Sequence, residues 1–118
     1  EFLEPFEIEE LPGIMRDISA IVIPSTYYEN YPLAMLTSLA YRIPVIASNV
    51  GGIPEVIKDG FNGFLFPAGG IEELAGIIGR IAQEPDAIWR LRENIVSPRR
   101  VEEEALDYEN VYADLTSR

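Results

Sequence analysis

The sequence predicts an α/β domain in which a parallel sheet is covered by helices. Short apolar runs alternate with segments of helical periodicity, and the runs end at proline or serine. Strands with apolar residues at consecutive positions are typical of parallel sheets that are flanked by helices. Ligands of such sheets bind beyond the carboxyl ends of the strands, so the loops after Pro24 and Ser48 are the places to look for a site.

Three apolar runs, at residues 20–24, 43–48 and 64–66, are the predicted strands. Because apolar residues occupy consecutive positions in each run, we expect the strands to be buried on both faces. The turn dipeptides Asp59-Gly60 and Asn62-Gly63 precede the third run. We therefore interpret residues 59–63 as architectural.

Apolar residues at helical spacing predict helices between the strands and after the last one. The predicted helices cover residues 8–17, 32–42, 54–58, 71–85, 86–94 and 101–116. In the second of them, Asn30 is the predicted cap, Pro32 suits the first turn, and Leu33 begins the predicted apolar face. In the fifth, Trp89 is expected in the core.

The charge and composition of the chain exclude several kinds of ligand and several reactive groups. The chain of 118 residues carries 20 acidic and 9 basic residues, a formal net charge of -11. This balance argues against nucleic acid as a partner, because phosphate backbones are bound by clustered Lys and Arg. Cysteine and histidine are absent, which excludes disulfides, thiolate nucleophiles and the commonest metal ligand.

The length matches one domain, so we expect residues 1–118 to form a single, partial domain whose C-terminal helices begin at about residue 86. No apolar run approaches the roughly 18 residues of a membrane span, and we expect a cytoplasmic location by default. The chain begins without Met, and we expect it to be a piece of a longer protein.

The first candidate site is the loop from Pro24 to Leu33, where a strand ends, one carboxylate follows and a helix begins. Unpaired amides and the partial positive charge of a helix start suit a phosphate. Glu29 beside them can accept hydrogen bonds from sugar hydroxyls. It can equally serve only to interact with the helix dipole, and spacing alone leaves both interpretations open.

The second candidate is the segment from Ser48 to Glu55, which again joins a strand to a helix. Gly51 and Gly52 permit a tight turn and a close backbone approach, but they lack the G-x-G-x-x-G spacing of a dinucleotide site. A simple turn is the favoured interpretation, with a structural role for Glu55 in the first helical turn.

Taken together, these motifs resemble the C-terminal donor-binding domain of retaining GT-B glycosyltransferases, the glycogen-synthase-like and sucrose-synthase-like superfamily. The matching residues are 21–25, 29–33, 43–57 and 59–65. This resemblance implies a partial Rossmann-like sheet, the C-terminal half-domain of a GT-B fold. It also implies an enzyme that transfers a hexose-type sugar from a nucleotide diphosphate sugar with retention of configuration, without a metal or other cofactor.

The resemblance also implies roles for individual residues. Glu29 matches the first Glu of the family's E-x7-E motif, which contacts donor-sugar hydroxyls, and backbone groups of Asn30, Tyr31, Pro32 and Leu33 would surround the sugar and the diphosphate. The acceptor site would belong to an N-terminal domain that is missing here. We therefore expect the chain to be inactive without that domain.

Two residues depart from the family's pattern. Thr37 stands where the second Glu of the motif typically holds the ribose hydroxyls, and Thr offers no ionised oxygens to a diol. Arg42 stands where relatives carry a small residue, often Gly. The alternative interpretation is therefore a catalytically degenerate Rossmann-like binding module. In either case, a sheet without its earlier strands exposes an apolar edge, so self-association is expected.

Overall fold

The computed structural model describes residues 4–117, so the ends of the predicted domain, residues 1–3 and 118, lie outside it. Its sheet is parallel and has the order β1-β2-β3, with strands β1 (Ile21–Ile23), β2 (Val45–Ser48) and β3 (Gly63–Phe66). The helices are α1 (Leu11–Arg16), α2 (Leu33–Ala40), α3 (Ile53–Val56), α4 (Ile71–Gln83), α5 (Asp86–Glu93) and α6 (Val101–Thr116), and a 3-10 turn (Ile8–Glu10) precedes α1. The predicted α/β fold class, a parallel sheet flanked by helices, is confirmed.

The central strand β2 is buried on both faces, as predicted. Val45 and Ala47 face a core that α2 and α3 cover, whereas Ile46 faces a second core under α4. The first core contains Ile23, Met35, Leu39, Val45, Ala47, Ile53, Ile57 and Ile95. The second contains Ile46, Phe66 and Ile77.

Strand β1 does not have the two buried faces that we expected. It lies at an edge of the sheet, and the side chain of Val22 is 40% exposed on the α4 side. Val22 pairs in register with Ile46, which α4 covers, but no helix covers Val22 to the same extent. One face of β1 is therefore buried, where Ile23 contributes to the first core, and the face that carries Val22 is partly exposed.

Three side chains predicted in the cap or the core are placed differently. Pro32, not Asn30, is the N-cap of α2, and no side chain caps that helix. Leu33 is 79% exposed, because the buried face of α2 is formed by Met35, Ser38 and Leu39. Trp89 is 59% exposed on α5, where Arg92 lies over its ring at 5.4 Å.

Arg42 adopts a positive φ of 57°, a conformation that favours glycine. Its carbonyl accepts a hydrogen bond from Nε of Arg92 at 2.9 Å, which joins α5 to the chain just before β2. The left-handed turn at Arg42 explains physically why a small residue suits this position.

Helix α6 stands apart from both cores. None of its residues is buried, and the molecule measures 57 Å along its longest axis against 32 and 27 Å along the others. Its first turns are joined to the preceding loop by Arg99, whose guanidinium contacts Asp107 at 2.6 Å. Within residues 4–117, none of the helices is both long and apolar enough to cross a membrane.

Candidate functional site

The two loops singled out in the sequence meet at the carboxyl end of the sheet. One loop, residues 24–32, follows β1, and the other, the turn at residues 49–52, follows β2. The amide of Gly52 donates to the carbonyl oxygen of Glu29 at 2.9 Å, which joins the two loops. Adjacent parallel strands place their carboxyl ends side by side, so this contact follows from the topology.

The two glycines of the turn let the loops approach each other. Gly51 has a φ of 61°, and a β-carbon on it would overlap the carbonyl oxygen of Glu29. A β-carbon on Gly52 would likewise overlap the carbonyl oxygen of Asn30. Any side chain here would therefore push the first loop away, so the glycine pair does more than complete the turn that we predicted.

Glu29 is half-buried and has a specific partner. Its Oε1 accepts a hydrogen bond from the Ser25 hydroxyl at 2.9 Å. Ser25 is the second residue after β1, and α2 begins at Leu33, so Glu29 lies in the loop between a strand end and a helix start. The hydroxyl holds one carboxylate oxygen, and no hydrogen bond among the described residues engages Oε2.

Tyr31 joins the first loop to α3. Its hydroxyl donates to Oε2 of Glu55 at 2.8 Å, across 24 residues of sequence. This hydrogen bond, together with desolvation and the negative charge of Glu55, raises the pKa of Tyr31 above its ordinary value. The sequence carried no signal for this pair, because nothing local links residues so far apart.

The start of α2 presents backbone amides at the same end of the sheet. Pro32 caps the helix but has no N–H, and its carbonyl accepts from Met35 and Leu36. The amides of Leu33 and Ala34 therefore lie at the positions where a helix has no internal acceptors. Asn30 is exposed beside them.

Thr37 lies in a different environment from Glu29. It lines an apolar groove of about 430 Å³ together with Phe6, Ile8, Leu11, Met15, Ile21 and Ala34. No hydrogen bond within residues 4–117 joins Thr37 to Glu29. The loops bring Glu29, Asn30 and Tyr31 against the glycine turn, whereas Thr37 faces the apolar groove.

The described residues offer no metal centre. Among residues 4–117, Asp and Glu side chains never gather in a group of three or more that could hold a metal ion. The groups that this site presents are a half-buried carboxylate, backbone amides at a helix start and a close-packed glycine turn.

This architecture is that of the Rossmann-like C-terminal domain of GT-B glycosyltransferases. Residues 1–97 match the family described as "Glycosyl transferases group 1". The chain belongs to this family of glycosyltransferases, as the motifs led us to expect.

Several curated glycosyltransferases are similar to this chain in sequence. A D-inositol 3-phosphate glycosyltransferase of Streptomyces griseus is 36% identical over 90 residues, which cover 76% of this chain and 19% of the relative. An MMP alpha-(1->4)-mannosyltransferase of Mycolicibacterium hassiacum is 32% identical over 87 residues, or 73% of this chain and 21% of the relative. The chain thus spans about a fifth of the length of these enzymes.

Solved structures share the fold. Sucrose-phosphate synthase of Thermosynechococcus elongatus superposes with a TM-score of 0.83 at 30% identity, over 99% of this chain and 30% of that one. HepE of Anabaena, solved in complex with UDP-glucose, gives a TM-score of 0.67 at 27% identity, over 73% of this chain and 24% of that one.

Proposed function

We propose that this chain is the donor-binding part of a retaining glycosyltransferase that transfers a hexose-type sugar from a nucleotide diphosphate to an acceptor. In this proposal, residues 1–118 are part of one nucleotide-sugar-binding domain, and the acceptor site lies on a separate N-terminal domain. Glu29 carries the proposal, because Ser25 binds its carboxylate and Gly52 binds its backbone carbonyl in the loop that leads into α2. A cytoplasmic location stays a prediction.

In this proposal, Glu29 binds the donor sugar. Its Oε1 is taken by Ser25, so Oε2 remains to accept a hydrogen bond from a donor-sugar hydroxyl. A hydroxyl bound by a half-buried carboxylate forms a charge-assisted hydrogen bond, which is stronger than a bond between neutral groups. HepE, which resembles this chain, binds UDP-glucose, and this supports a sugar nucleotide as the ligand.

The start of α2 is suited to the diphosphate. The amides of Leu33 and Ala34 and the positive end of the helix dipole favour negative charge there. As the sugar leaves, charge accumulates on the diphosphate, and preorganised amides stabilise that charge at little reorganisation cost. Asn30 and Tyr31 would border the sugar in this arrangement.

Thr37 favours a second candidate, a degenerate binding module. In the resemblance its position holds the ribose, but here the residue is uncharged and lines an apolar groove. Loss of a charged hydrogen bond of about 1.5–3 kcal/mol would weaken nucleotide binding roughly ten- to a hundredfold. Calorimetry of the complete protein with UDP-glucose, GDP-mannose and ADP-glucose separates the candidates, because a degenerate module gives no donor-dependent heat.

The role of Glu29 is tested by Glu29→Ala and Glu29→Gln in the complete protein. We expect Glu29→Ala to lower kcat/KM for sugar transfer by about ten- to a hundredfold, since a charge-assisted bond to the donor is lost. Glu29→Gln keeps an acceptor for Ser25, so its kcat/KM should fall by less. Glu109→Ala, which removes an exposed carboxylate on α6, is the matched control. Unchanged kinetics in Glu29→Ala would rule out the role.

A further inference from the structure

Tyr31 connects the loop that carries Glu29 to helix α3. Its hydroxyl donates to Glu55 at 2.8 Å, and its ring packs on the glycine turn. A β-carbon on Gly52 would lie 3.4 Å from Cε2 of this ring, at the tight end of ordinary van der Waals contact. The side chain of Tyr31 therefore touches both the turn after β2 and the helix that follows it.

The backbone beside Tyr31 is held by the same turn. Gly52 donates to the carbonyl of Glu29 at 2.9 Å, and the carbonyl of Asn30 lies against the α-carbon of Gly52. Residues 29, 30 and 31 thus each contact the segment from Gly52 to Glu55. The first two contacts use backbone atoms, and only the third uses a side chain that can be altered without disturbing the turn.

The Tyr31–Glu55 bond restrains the loop that carries Glu29. Tyr31 follows Glu29 by two residues, so a loop that moved its carboxylate would also have to carry the tyrosine hydroxyl away from Glu55. A hydrogen bond to an ionised carboxylate resists that movement more than a neutral one. Because a displacement of about 1 Å lowers activity strongly, a support of this kind matters at a binding site.

We propose that Glu55 is a positioning residue of the donor site, which acts through Tyr31 to hold the Glu29 carboxylate in place. This inference rests on the proposed function, since it takes Glu29 to bind the donor sugar. Glu55 need not touch the donor. Its effect should therefore concern the sugar, which Glu29 binds, and leave the nucleotide unaffected.

The test compares a nucleotide sugar with its nucleoside diphosphate in the complete protein. Calorimetry uses whichever of UDP-glucose, GDP-mannose or ADP-glucose the unaltered protein binds, together with the matching diphosphate. We expect Tyr31→Phe and Glu55→Gln each to weaken binding of the nucleotide sugar about three- to tenfold and to leave the diphosphate unchanged. The double variant should be no weaker than Tyr31→Phe alone, because the two side chains act as one pair.

The same substitutions in a Glu29→Ala background separate positioning from direct contact. If Glu55 and Tyr31 act through Glu29, neither variant weakens binding further once Glu29 is gone. Tyr28→Phe is the matched control, because Tyr28 lies in the same loop, is 83% exposed and keeps its ring in the variant. Equal losses for the nucleotide sugar and the diphosphate, losses that persist without Glu29, or no loss in Tyr31→Phe would each overturn the inference.

The pair can also be observed without a donor. In protein with 13C-labelled tyrosine, NMR titration should show the raised pKa of Tyr31 falling towards its ordinary value in Glu55→Gln. An unchanged pKa would mean that the pair does not form in solution, which also overturns the inference. If Glu29→Ala itself leaves nucleotide-sugar binding intact, or no nucleotide sugar binds, the proposed function fails. Loss in Glu29→Ala without loss in Tyr31→Phe refutes only the positioning role.

Discussion

A β-carbon on Gly51 would overlap the carbonyl oxygen of Glu29, so the turn after β2 and the loop after β1 meet only because residue 51 has no side chain. The φ of 61° at Gly51 adds a second requirement for glycine. We expect Gly51→Ala to lower the free energy of unfolding by more than about 2 kcal/mol, since strain and backbone overlap combine. Denaturant unfolding measures this loss.

Gly60→Ala is the control for the backbone conformation alone. Gly60 has a φ of 72°, but no atom lies within 4 Å of the β-carbon it would gain. Left-handed strain alone should cost this variant about 1 kcal/mol. Equal losses in the two variants would show that contact with Glu29 adds nothing to the requirement at Gly51.

Substitution by alanine should change the stability of the fold differently at two fully buried serines, Ser38 and Ser48. The hydroxyl of Ser38 donates to the carbonyl of Ile43 at 2.8 Å, whereas Ser48 Oγ has no hydrogen-bond partner among the described residues. We expect Ser38→Ala to destabilise the fold by about 1 kcal/mol. Ser48→Ala should be neutral or stabilising by up to about 1 kcal/mol, because it removes a hydroxyl whose desolvation is not compensated.

Denaturant unfolding of both serine variants decides this prediction. A marked loss of stability in Ser48→Ala would contradict it, and would mean that the hydroxyl is satisfied by a partner in solution. The comparison is balanced, because both substitutions remove one oxygen from a side chain with 0% exposure.

The free edge of β1 should promote self-association of the isolated chain. The amide of Ile21 donates to Pro44 in the sheet, so the alternation of the strand points the amide of Val22 away from β2. We expect the chain to associate at high concentration through this edge, and Val22→Lys to reduce the association because a charge blunts an edge strand. Sedimentation at several concentrations measures it.

The control for this change is Val96→Lys, which places the same charge at a position that is 84% exposed in a loop. It should leave the association unchanged. A chain that stays monomeric at high concentration, or equal effects of both variants, would count against pairing at the β1 edge.

The order of elements could be predicted because each depends on local pattern. Period and turn residues suffice to predict that strands alternate with helices, and the structure confirms this order. Exposure could not be predicted in the same way. Val22 and Trp89 are apolar enough for a core, but whether a core reaches them depends on which elements lie beside β1 and α5.

In the candidate site, too, the features that depend on local sequence could be predicted and those that depend on topology could not. A carboxylate between a strand end and a helix start is a local pattern, and the sequence pointed to Glu29 for that reason. The contact of Gly51 with Glu29 and the bond of Tyr31 to Glu55 join segments that only the parallel sheet brings together. Without the topology, Glu55 was no more than an acid in a first helical turn.

Helix α6 buries no residue, so this chain holds its longest helix by little more than the helix's own hydrogen bonds. Most of the stability of helices in proteins comes from tertiary packing, which this helix lacks. Heating should therefore melt residues 101–116 before the two cores. Far-ultraviolet ellipticity will report the melting of α6 and the unfolding of the cores together. The fluorescence of Trp89 will report the unfolding of the cores, because Trp89 lies on α5, which contributes Ile88 and Leu91 to the interior.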